Sequence, residues 1–176
     1  MPARWYRRVV PLTLRPFGPG DESVARDGHQ AMAAEGFPFL LSYDPHMTWS
    51  AWLAEIGRQR LGTDLPVDQV RSAILAADVD GELVGRVSVR FTLNDWLARE
   101  GGHIGYAVLP AHRRRGHATA MLHRAVAVAR HGGAAPLLVV CDDDNVGSAT
   151  VIERCGGVLE GRATTDRGTT IRRYWI

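Results

Sequence analysis

Apolar and polar residues change their period twice along this chain. Val9 to Arg15 reads as an opening strand, and Ala25 to Glu35 and Trp49 to Gly57 carry helix-compatible spacing. The breakers Gly36-Phe37-Pro38 and Tyr43-Asp44-Pro45-His46 separate them, and Arg58 to Pro66 reads as a loop. From Ser72 the pattern becomes that of strands. Ala73 to Val79 and Leu83 to Phe91 flank Asp80-Gly81-Glu82, which predicts a hairpin. In its second strand Val84, Arg86, Ser88 and Arg90 alternate with Gly85, Val87, Val89 and Phe91. After a loop at Asn94 to Gly102, a third strand runs from His103 to Leu109. A helix over Thr119 to His131 repeats Met121, Leu122, Ala125, Val126 and Ala129 at helical spacing and closes at Gly132-Gly133. Leu137 to Cys141 predicts a buried strand, Ser148 to Arg154 a helix, and Val158 to Ala163 and Thr169 to Ile176 two closing strands. The order is a mixed α/β plan, with a strand-helix-strand crossover near its centre.

Composition narrows this little. A chain of 176 residues suits one domain, 1–176, and 45% hydrophobic with 23% charged residues is ordinary for a globular protein. The net charge of +2 gives no push toward nucleic acid or a membrane surface. No apolar run is long enough to span a bilayer, and the basic start lacks the apolar stretch of a signal peptide, so a cytoplasmic protein is expected. The two cysteines form no C-x-x-C pair, and the seven histidines show no metal-ligand spacing, so no metal is expected.

The most informative stretch is Val108-Leu109-Pro110-Ala111-His112-Arg113-Arg114-Arg115-Gly116-His117-Ala118-Thr119. A strand ends, a basic loop turns, and a helix begins at small residues. The first N–H groups of a helix have no internal partner and sit in positive potential, which suits a pyrophosphate. Gly116 and Ala118 let phosphates approach the backbone. Cationic side chains at a helix start cost about a few tenths of a kcal/mol each, so three arginines there point to a bound anion, while the same run taken alone equally suits a solvated turn before an ordinary helix.

The spacing Arg-x-x-Gly-x-Ala between strand and helix resembles the acetyl-CoA signature of the GCN5-related N-acetyltransferases (GNAT). Further along, Cys141 to Ser148 and Val151 to Gly157 resemble the family's second block, an Asn after a strand and a helix ending at Gly. Arg90 to Leu97, Gly101 to Tyr106, Gly156 to Glu160 and Arg173 to Ile176 resemble a bacterial branch of predicted acetyltransferases of unassigned substrate. The resemblance covers roughly Leu65 to Ile176, and the N-terminal third, 1–65, is matched weakly.

The resemblance implies a central, mostly antiparallel, splayed sheet of six to seven strands flanked by about four helices. It implies transfer of an acetyl group from acetyl-CoA to a primary amine of a small molecule or peptide, by direct attack in a ternary complex. Backbone groups of Tyr106, Ala107 and Val108 would pair with the pantetheine arm, one amide polarising the thioester carbonyl. Arg113, Arg114, Arg115, Gly116, His117, Ala118 and Thr119 would hold the pyrophosphate. Asn145 and Ser148 would lie along the cofactor arm. Ile152 stands where many members carry a proton-donating tyrosine, which leaves Cys155, Ser148 and Tyr174 as candidate acids. His103 and Glu100, at the start of the strand before the loop, are candidate bases. Asp95 and the run Asp142 to Asp144 are candidates to attract a cationic substrate, and Trp49, Trp52 and Trp96 to line its pocket; the aspartate run also suits a solvated cap, and the tryptophans core packing. Alternatives are a longer acyl group or a non-catalytic acyl-CoA-binding module. A homodimer through terminal-strand pairing is compatible with the plan.

Overall fold

The computed structural model describes residues 11–176. Strand β1 (Leu12–Pro16) is followed by helices α1 (Glu22–Ala33) and α2 (Trp49–Leu61), then β2 (Ser72–Val79), β3 (Glu82–Arg90) and β4 (Ile104–Val108). Helix α3 (His117–His131), β5 (Leu138–Asp142), α4 (Val146–Arg154), β6 (Val158–Thr164) and β7 (Thr170–Trp175) complete the order. Residues Val9 and Val10 of the expected first strand lie outside the described residues. No helix among the described residues is long and apolar enough to cross a membrane.

Two predicted loops carry helical structure instead. Helix α2 runs past Gly57 to Leu61, because nothing breaks it before Gly62, whose φ of 76° closes it. Arg58 and Arg60 occupy the last turn, where cations complement the dipole, and Arg58 forks onto Glu55. Thr48 caps the other end, its Oγ1 accepting the Ala51 amide at 3.2 Å. The stretch after Asn94 contains a π-helical turn at Leu97–Gly101, started by the Asn94 side chain accepting the Leu97 amide at 2.9 Å.

The seven strands form one sheet in the order β1-β2-β3-β4-β5-β7-β6. All neighbours are antiparallel except β4 and β5, which the α3 crossover makes parallel. The predicted hairpin is present, with Asp80 and Gly81 both at positive φ as a two-residue turn requires. The predicted alternation in β3 breaks at its start. Pairing passes from Ala77↔Gly85 to Asp78↔Leu83, leaving Val84 as the extra residue of a bulge. Val84 therefore joins Val87 and Val89 in the core under α3 and α4, not the face of Arg86 and Ser88.

Each sheet face has its own core. Val87, Ile104, Met121, Leu122, Ile152 and Tyr174 pack on the α3–α4 side. Phe17, Trp49, Trp52, Ile74, Ala107 and Leu109 pack on the α1–α2 side. The strands β4 and β5 meet only where Ile104 pairs with Val139, and beyond that point they splay.

Candidate active site

The site begins where β4 ends. Leu109 turns toward the α1 side and packs on Gly28, where a Cβ would collide with the Leu109 side chain, so α1 sits tightly against the strand end. One helical turn, Pro110–His112, leads into the arginines. Arg114 (φ 64°) and Gly116 (φ 85°) are both left-handed, which curls the intervening amides inward as an anion-binding nest. Gly116 brings no capping side chain to α3. The amides of Arg114 through Thr119 make no hydrogen bond among the described residues, and the ladder starts with Ala120 donating to the Gly116 carbonyl at 3.2 Å. Six unbonded amides on a positive helix end suit a pyrophosphate.

This turn opens onto a groove of about 920 Å³. Every residue expected to hold the cofactor lines it except Arg115, whose side chain is exposed. The N-terminal third adds Met32, Glu35 and Phe37. Arg113 reaches across the groove and forks onto Glu35, at 3.1 and 2.7 Å. Those hydrogen bonds hold the Glu35 carboxyl below its usual range. Nothing in the local sequence signals this pair, since its members stand in different thirds of the chain.

At the splay, the Tyr106 hydroxyl lies 2.7 Å from Ser148 Oγ, linking β4 to α4. Burial pushes the Tyr106 phenol up to about 12, so it stays protonated near neutrality. Asn145 caps α4, its Oδ1 accepting the Ser148 amide at 3.0 Å, and the residue lines the groove. Ile152 is fully buried in the core, one turn further along α4. His117, the first residue of α3, is buried, and its Nδ1 has no hydrogen-bond partner among the described residues. Burial, with His112 and Arg115 nearby, lowers its basicity.

The candidate bases and Tyr174 stand away from this groove. His103 is buried at the start of β4, where its Nδ1 accepts the Leu138 amide at 2.9 Å. Glu100 accepts the Asp166 amide at 2.8 Å. Tyr174 is fully buried and donates to Glu153 at 3.1 Å. Cys155 is half-buried, with Thr119 O at 3.7 Å as its contact. Trp49 and Trp52 are core residues whose indole N–H groups donate to Gly18 and Leu41 carbonyls. Trp96 is half exposed, outside the groove. Asp143 is neutralised by Arg162 and Arg172.

The family model described as "Acetyltransferase (GNAT) domain" matches residues 11–158, reaching through the weakly patterned N-terminal third. No curated protein matches the chain in sequence. Among solved structures, a Salmonella typhimurium protein with its cofactor acetyl-CoA is 17% identical, at a TM-score of 0.62 over 94% of this chain and 93% of that one. The acetyltransferase from Agrobacterium tumefaciens is 23% identical, with a TM-score of 0.62 over 93% and 90%. The dodecameric spermidine N-acetyltransferase from Vibrio cholerae is 16% identical, with a TM-score of 0.63 over 94% and 93%.

Proposed function

This chain belongs to the GNAT acetyltransferases, and from that premise we propose that it transfers an acetyl group from acetyl-CoA to a primary amine of a small molecule or peptide, both bound together. The observation that carries the reading is the nest of free amides from Arg114 to Thr119, opening onto the same groove as the β4–β5 splay. The amides and the Arg114 charge take the pyrophosphate, and the β4 backbone from Tyr106 to Val108 takes the pantetheine arm.

The amine nitrogen bonds to the acetyl carbon while the carbon–sulfur bond breaks. The sulfur takes the Tyr106 hydroxyl proton, which Ser148 and solvent replace, so the tyrosine does from β4 what Ile152 cannot do from α4. The amine loses its proton to water in the open groove. His103 and Glu100 are held elsewhere by backbone amides, and Glu35 is tied to Arg113. On the edge strand β6, Val158 and Leu159 are exposed, which supports pairing with a second copy, testable by sedimentation.

The test joins acetyl-CoA calorimetry to thiol release across a panel of amines. Binding with amine-dependent release is the expected result. Binding without release from any amine identifies an acyl-CoA-binding module, faster release from a longer acyl-CoA reassigns the donor, and no binding overturns the reading.

A further inference from the structure

Arg86, Ser88 and Arg90 alternate along β3 on the face that carries α1 and α2, outside the groove already described. Their neighbour on β4, opposite Ser88, is Gly105. A Cβ there would lie 2.9 Å from Ser88 Oγ, 3.7 Å from Arg86 Nη1 and 3.8 Å from Arg90 Nη1. One hydroxyl and two guanidiniums thus gather beside a backbone position that carries no side chain and is itself partly exposed.

Neither arginine has a counter-charge. Arg86 is buried to 3% exposure and donates from Nε to the Phe39 carbonyl at 2.7 Å and from Nη2 to the Pro38 carbonyl at 3.0 Å. Its Nη1 has only Ser88 Oγ, at 3.5 Å. Arg90 Nη1 reaches only the Gly101 and Gly102 carbonyls, each at 3.4 Å. Neither guanidinium forms an ion pair among the described residues, and residues 1–10 contain no Asp or Glu. On Arg86 the nitrogen facing Gly105 is therefore the least satisfied, and on Arg90 those two long contacts are the only hydrogen bonds of the guanidinium among the described residues. Burial lowers the basicity of both groups, and Arg90 adds repulsion to Arg86. Two like charges out of water without an anion are costly, and a carboxylate between them removes that cost through charge-assisted hydrogen bonds.

This cluster adjoins the groove. Gly105 shares a sheet face with Ala107, which lines the groove about 7 Å away by the strand rise. Phe37, another lining residue, has the Arg86 guanidinium 5.5 Å from its ring centre. We infer that the Arg86–Arg90 pair beside Gly105 receives a carboxylate of the acceptor. The amine to be acetylated then belongs to a molecule carrying a carboxylate within about 7 Å of its nitrogen, as in an amino acid or a short peptide. This rests on the acetyl-transfer reading and narrows its substrate class.

The experiment compares acceptors differing only in the carboxylate, namely leucine with isoamylamine and lysine with cadaverine, by thiol release. Glycyl-leucine and its amide form the peptide arm, which separates a peptide carboxylate from that of a free amino acid. In parallel, calorimetry on the CoA-loaded protein compares N-acetylleucine with N-acetylisoamylamine, which needs no turnover. The carboxylate member is expected to win by ~10-fold or more in kcat/KM and in affinity, the usual worth of a hydrogen bond to a charged group. Arg90→Gln and Gly105→Ala, each checked for folding by circular dichroism, are expected to abolish that preference while acetyl-CoA affinity stays unchanged. Equal use of the paired acceptors, preference for cadaverine, or a preference that survives both substitutions overturns the inference, and release without preference leaves acetyl transfer standing. Selective N-acetylleucine binding lost in Arg90→Gln, with no release from any amine, supports the anion site and sinks acetyl transfer.

Discussion

The Tyr106 hydroxyl on β4 stands 2.7 Å from the Ser148 hydroxyl on α4, spanning the point where β4 and β5 separate. Both residues line the groove, and the pair sets a protonated phenol beside a second hydroxyl.

Tyr106→Phe is expected to lower kcat by ~10²-fold or more, the usual weight of a positioned proton donor, with little change in acetyl-CoA affinity. Ser148→Ala is expected to lower it less, and the double variant to be no worse than Tyr106→Phe, since the two groups act as one relay. Steady-state thiol release with a saturating amine measures this. Additive losses would separate the two hydroxyls.

Gly116→Glu is expected to abolish detectable acetyl-CoA binding in a protein that still folds. The side chain would sit at φ 85°, a conformation costing about 1–2 kcal/mol for a residue with a Cβ, and would place a carboxylate among the amides. Calorimetry with a circular dichroism control decides it. Wild-type affinity would mean the phosphates bind elsewhere.

Glu35→Gln releases Arg113 from its fork and removes a negative charge from the groove wall. Acetyl-CoA binding is expected to tighten, most at low ionic strength and hardly at all near ~1 M salt, where the Debye length shrinks to about 3 Å. A salt series on both proteins tests this. A weaker-binding variant would show that Glu35 holds Arg113 in its useful position.

Asp21 concerns stability. Burial pushes its carboxyl up, yet the Arg15 guanidinium and the Gly18 amide outweigh that and hold it below the usual carboxylate range. A carboxyl lowered on folding contributes stability above its unfolded value, and loses it as pH falls through the folded value. Asp21→Asn is therefore expected to cost roughly 1–3 kcal/mol at pH 7. The gap from wild type should narrow as pH drops below about 4. Urea unfolding at a series of pH values measures it, and a constant gap would assign the cost to packing.

The turn proposed to hold the cofactor was legible in the sequence because its geometry is local. A strand end, a positive-φ glycine and the first amides of a helix lie within a few residues, so Arg113 to Thr119 carries its own geometry. The hairpin at Asp80-Gly81 and the apolar stripe of α3 were readable for the same reason. The bulge at Val84 was not, because it shows only when β3 is registered against β2. The catalytic expectations met the same limit. His103 and Glu100 were placed by sequence proximity to the loop, whereas the fold uses both to accept backbone amides.

What the sequence determined by itself was the order of the main elements and the turn from Arg113 to Thr119, since backbone propensity and helix-end chemistry act between near neighbours. Tertiary structure alone decided which side chains meet. Tyr106 finds Ser148 across the splay, Glu35 finds Arg113 across the groove, and Arg86 and Arg90 have no ionic partner among the described residues around Gly105. Those relationships depend on the pairing of distant strands and on which face each residue presents. A single bulge can invert that choice of face without any local signal in the chain.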